Sequence, residues 1–146
     1  MSTSHLSTTE RVAYARLWWA GVLTVVLSVT ANAVIRTIAR AAFDVPDEFP
    51  PFTWGQFTFL TVAGVAGATI TFAIIGRLSR RPVRAFTGVA VIALILSWLP
   101  DIGLLAARPY PGTSVQSVGT LMFMHLVTAA ITVGLLTRLG VKRKLL

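Results

Sequence analysis

Four apolar stretches lie near Leu17–Ile38, Trp54–Gly76, Ala85–Ala107 and Ser117–Thr137. Each is long enough to cross a bilayer core, which takes about 20 helical residues. Backbone amides in hydrocarbon have no water to bond, so runs of this length span as helices, each satisfying its own ladder. The third span has Pro82 as an alternative start, because proline suits the first position of a helix. Composition agrees with a lipid solvent. Hydrophobic residues make up 55% and charged residues 12%, with a mean hydropathy of +0.76, against about 25% charged in soluble domains. The 146 residues form one domain, read as an all-α integral membrane four-helix bundle over residues 1–146.

The charges orient this bundle. Arg11 and Arg16 precede the first span; Arg77, Arg80, Arg81 and Arg84 fill the link between the second and third. Arg138, Lys142, Arg143 and Lys144 follow the fourth. The opposite side has Arg36, Arg40 and Arg108, accompanied by Asp44, Asp47 and Glu48. The positive-inside rule then places both termini in the cytoplasm, N-in and C-in, across a bacterial inner membrane. A net charge of +8 can suggest nucleic acid. Here the basic residues fall between apolar runs where topology requires them, so no nucleic-acid partner is expected, although the same clusters would also suit anionic lipid heads. Trp18, Trp19 and Trp54 fall near the expected interfaces. Arg11, Arg16 and the Ala31-Asn32-Ala33 step also resemble a cleavable signal peptide, but the apolar pattern runs on past Ala33 and reads as a span.

The spans carry polar faces. In the first, Thr24, Ser28, Asn32, Arg36 and Arg40 recur every four residues and form one stripe. The second has Ala63, Gly64, Gly67, Ala68 and Thr71, a small-residue surface expected to bring helices close. The third has Ala93, Ser97 and Asp101, and the fourth has His125, Thr128 and Thr132. Ser, Thr, Gly and Ala are ordinary at helix interfaces. Asn32, Arg36, Asp101 and His125 are costly against lipid and mark a functional region.

Depth brings these residues together. With each span centred on the bilayer and a rise of about 1.5 Å per residue, His125 lies ~3 Å outward of the centre, Asn32 and Asp101 ~7 Å, and Arg36 and Gln56 ~13 Å. All fall in the outer half, from four helices. Two arrangements follow. Arg36 can reach inward to form an ion pair with Asp101. Alternatively Asn32, Arg36, Gln56, Asp101 and His125 line a ligand pocket, helped by Pro100, which kinks its helix and frees the Leu96 carbonyl.

Catalysis finds less support. Asp101 and His125 have the chemistry of an acid–base pair, but no nucleophile elbow, zinc-protease motif, Walker loop or glycine fingerprint accompanies them. Cysteine is absent, which excludes disulfides and thiolate chemistry. His125 is the one histidine within a span, since His5 lies in the N-terminal tail, so neither a metal nor a haem is expected.

The run PFTWGQFTFLTVAGVAGATITFAIIGRLSRRPVRAF, followed by LSWLPDIGLL and GTLMFMHLVTAAITVGLLTRL, resembles an uncharacterised bacterial family, domain of unknown function 6069. The resemblance covers nearly all the chain from the first span onward. Its marks are a Pro-Asp step late in the third span, Pro100-Asp101, and a Met-His step in the fourth, Met124-His125. It implies a four-helix integral membrane protein and supplies no activity. The expectation is a non-catalytic membrane protein without a cofactor, holding a lipid or other amphiphile at an outer-half polar site. The alternative is an accessory or structural subunit whose polar stripe on the first span faces another membrane chain or a second copy of itself.

Overall fold

The computed structural model describes residues 8–46 and 49–145. His5, Asp47 and Glu48 lie outside them, as do the side chains of Arg143 and Lys144. Four helices dominate: α1 Tyr14–Phe43, α2 Trp54–Leu78, α3 Pro82–Ala107 and α4 Val115–Leu139. All are long and apolar enough to cross a membrane, so this is a multi-pass membrane protein. The third helix does start at Pro82. Two short strands, β1 Thr8–Val12 and β2 Val141–Leu145, pair antiparallel, with Val12 opposite Val141 and Thr8 opposite Leu145. This ribbon adds a small element to the expected all-helical fold. It defines one end of the bundle; a 3-10 turn at Pro50–Phe52 and the α3–α4 loop define the other.

Local chemistry sets the helix ends. Asp44 adopts a left-handed conformation at φ 48° and Pro46 follows it, which terminates α1. Arg108 does the same at φ 46° ahead of Pro109 and ends α3. Ser114 caps α4 by accepting the Ser117 amide at 3.1 Å. The two loops at this end meet at Gly112. Its φ is +81°, and a Cβ there would stand 2.6 Å from Pro46 Cδ.

Helix packing follows the rules of lipid rather than water. Lipid tails solvate apolar side chains as well as a core does, so close packing and hydrogen bonds hold the helices. The buried face of α1 is accordingly its polar stripe: Thr24, Ser28, Asn32 and Arg36 are all buried, while Val22, Leu23, Val26 and Leu27 are exposed. The stripe therefore faces the chain's own bundle and is not offered to a partner. Trp18, Trp19 and Trp54 are exposed, as a membrane belt requires.

Two apolar clusters close the ends. Val12, Leu17, Phe72, Phe86, Leu136 and Val141 seal the ribbon end, with the Phe72 and Phe86 rings 4.6 Å apart. Phe49, Phe52, Phe57, Leu121 and Met124 seal the turn end. The ribbon is held closely to the bundle: a Cβ on Gly76 would stand 2.5 Å from Val12 Cγ2. Helix α1 packs on α2 and α4, and α3 packs mainly on α4. Helix α3 buries only Pro82, Phe86 and Asp101, so between those two ends it stands away from α2.

Candidate functional site

The separation of α2 from α3 leaves a groove of about 670 Å³ over the face of α4. From Phe86 to Leu104 its α3 wall runs roughly 27 Å at about 1.5 Å per residue, close to the full depth of a hydrocarbon core. Most of the lining is apolar: Phe57 and Leu60 on α2, Val89, Ala93 and Leu94 on α3, Leu121, Met124 and Ala129 on α4. Gly64, Gly67, Ala68 and Thr71 line it as well. The sequence suggested that this small-residue surface draws helices together. It does the reverse: a Cβ on Gly64 or Gly67 would meet nothing within 4 Å, so these residues make the α2 wall thin and the groove wide. Close approach falls one face away, where Thr61, Val65, Thr69 and Phe72 are buried.

Polar groups gather in the half of the groove toward the turn end. His125 Nδ1 lies 2.9 Å from Asp101 Oδ2. An ionised carboxylate only accepts, so Nδ1 donates to it, and in a neutral imidazole Nε2 is then an acceptor. The Asp101 side chain is 7% exposed and that of His125 41%. The carboxylate is thus the buried member and the imidazole the accessible one. The i, i+3 neighbour of His125 is Thr128, on the same face of α4. Its hydroxyl accepts from Asn32 Nδ2 at 3.0 Å, and Asn32 Nδ2 also reaches Thr61 Oγ1 at 3.0 Å. Thr61 in turn donates to the Phe57 carbonyl at 2.7 Å. The amide is therefore fixed by α2 and α4 together. Asn32 is 3% exposed, yet its Oδ1 has no hydrogen-bond partner. A buried acceptor left in that state carries a cost of about 1 to 3 kcal/mol.

Of the five residues singled out from sequence, four line this groove: Asn32, Gln56, Asp101 and His125. Pro100 lines it beside Asp101, inside a helix that continues through the proline to Ala107. Arg36 is elsewhere, and the expected Arg36–Asp101 ion pair does not form. Its Nε donates to the Phe52 carbonyl, and its guanidinium lies 4.7 Å from the Trp54 ring centroid and 6.0 Å from that of Phe57. It lines a separate shallow depression with Thr37, Arg40, Asp44, Val45 and Pro46. The physical reason is proximity. The 3-10 turn brings a backbone acceptor and an aromatic face to Arg36, whereas α4 brings His125 to Asp101.

Sequence reasoning missed Thr61, whose part depends on which face of α2 meets α1. It also missed Trp98, whose Nε1 donates to the Met122 carbonyl at 3.2 Å and ties α3 to α4 next to the dyad. A tryptophan within a span, on the helix that carries Asp101, was the available signal. Among the described residues no cluster of three or more His, Asp or Glu could hold a metal ion. What the arrangement can do is accept hydrogen bonds from a polar head while an apolar chain lies along the remainder of the groove.

No curated protein and no solved structure matches this chain. A protein-family model does, over residues 12–141, which takes in all four helices and most of the groove's surroundings. The chain belongs to that family, the Family of unknown function (DUF6069).

Proposed function

We propose that this membrane protein holds one amphiphilic small molecule or lipid in the α2–α3 groove, without converting it. The observation that carries the reading is the polarity gradient of the groove. Its length is mainly apolar, with Thr71 and Thr132 toward the ribbon end, while Asn32, Gln56, Asp101 and His125 collect in the half toward the turn end. Concave, mostly apolar sites with a few placed polar groups are the usual form of small-molecule sites. Ser97, one turn from Asp101 on α3, spends its hydroxyl on the Leu94 carbonyl, which argues for holding over turnover.

Native mass spectrometry of the chain purified in mild detergent tests this. A lone protomer carrying one defined small molecule is expected, with retention reduced by Asp101→Asn. A lone protomer without any bound molecule overturns the reading.

A second reading, an accessory subunit of a larger membrane complex, draws on α3. Its exposed Val91, Ile92, Ile95, Leu96 and Leu99 form a peripheral face available to another chain. A co-purifying protein and an empty groove in the same experiment would favour it.

A further inference from the structure

We infer that the groove takes a single-chain amphiphile with an uncharged polyol head, of the monoacylglycerol class. This rests on the groove reading above and names the ligand chemistry.

Size comes first. At roughly 30 Å³ for each water- or methylene-sized group, a groove of about 670 Å³ has room for at least about 22 non-hydrogen atoms. One acyl chain with a small head fits.

Hydrogen-bond chemistry selects the head. Asn32 Oδ1 is buried and unpartnered, and it belongs to a residue lining the groove. In a neutral imidazole, His125 Nε2 is a second acceptor once Nδ1 donates to Asp101. Thr128 accepts from Asn32 and makes no recorded donation, so its hydroxyl proton is available. His125 and Thr128 are i, i+3 neighbours, with Cβ atoms about 5 to 6 Å apart. A donor and an acceptor at that separation on α4, with the Asn32 oxygen as a further acceptor in the same groove, match a head that carries more than one hydroxyl. A ligand hydroxyl at Asn32 would remove the cost of its unpaired oxygen.

Charge disfavours anionic heads. No Arg or Lys lines the groove, and its one carboxylate is Asp101. Arg36, the nearest candidate cation by sequence, is turned to Phe52 and Trp54. An acid or phosphate head would face a like charge with no Arg or Lys to meet it.

The probes are 1-monopalmitoylglycerol, palmitic acid and palmitoyl lysophosphatidic acid, present in equal amounts in phosphatidylcholine nanodiscs that carry the full chain. Native mass spectrometry after release reads the one-to-one adducts. The monopalmitoylglycerol adduct is expected to exceed each anionic adduct about tenfold, as two added hydrogen bonds would give. Asn32→Leu should remove that preference while leaving palmitic acid unchanged. Thr128→Val should lower it severalfold, and serves if Asn32→Leu fails to fold. Gly67→Leu, which adds bulk only into open groove, should abolish every adduct. If no probe binds, or Gly67→Leu leaves binding intact, the groove reading itself falls and this inference with it. If binding depends on Gly67 but shows no preference for the glycerol head, or prefers an acid, the inference alone is overturned.

Discussion

His125 and Asp101 join α4 to α3 through a 2.9 Å contact between Nδ1 and Oδ2, near the C-terminal end of a helix that otherwise buries little. The remaining buried residues of α3, Pro82 and Phe86, lie at its opposite end. The dyad therefore works as a clasp as well as a candidate head-group site. A double-mutant cycle with Asp101→Ala and His125→Ala should give a coupling of about 1 to 2 kcal/mol, read from unfolding in mixed micelles. Additive losses would remove the clasp.

Arg36 should be energetically independent of Asp101. The cycle between Arg36→Ala and Asp101→Ala is expected to close to within about 0.5 kcal/mol. Coupling should appear instead between Arg36 and Trp54, at about 0.5 to 2 kcal/mol for a partly desolvated cation over an indole. Arg36→Lys should not rescue. The planar fork that donates from Nε while stacking on Trp54 has no counterpart in an ammonium group.

Ser28 offers the opposite sign. Its hydroxyl is fully buried and has no partner, so Ser28→Ala removes an unsatisfied group and leaves only a small void. The variant should be as stable as the parent or more stable by about 1 kcal/mol, measured by thermal unfolding in detergent. A clear loss of stability would show that the hydroxyl is bonded.

Gly76→Ala should loosen the ribbon, because its new Cβ would fall 2.5 Å from Val12 Cγ2. Faster amide hydrogen exchange across Val12 and Val141 is the expected signature. Adding Val12→Ala should restore protection only in part, since it removes Cγ2 but leaves Val12 Cβ 2.8 Å from the new atom. Unchanged exchange in the single variant would mean the strand yields without cost.

These outcomes bear on what the sequence could and could not convey. The spans were legible because bilayer thickness fixes their length, and Pro82 marked the third start. The α1 stripe was legible as a period of four, and the structure puts it inside. Depth estimates placed Asn32, Gln56, Asp101 and His125 in the same half of the bundle, and they share one groove. Which neighbour Asp101 touches was not legible, because periodicity reports depth and face while lateral order depends on loops. Arg36 was assigned to it on height alone, and the Phe52 carbonyl and Trp54 ring claimed that side chain first. The small residues of α2 misled for a related reason: the same glycines that permit contact also permit a void. The ribbon was hidden because its strands look like the charged flanks that topology already explained.

Thr8 opposite Leu145 turns the chain into a nearly closed circuit through the membrane. Reporters fused beside those two positions would sit next to each other on one face of the bilayer, so complementary halves of a split fluorophore should assemble within a single molecule. Welding the two positions covalently and reopening the chain in the 109–114 loop would give the helix order α4, α1, α2, α3 with each helix contact kept.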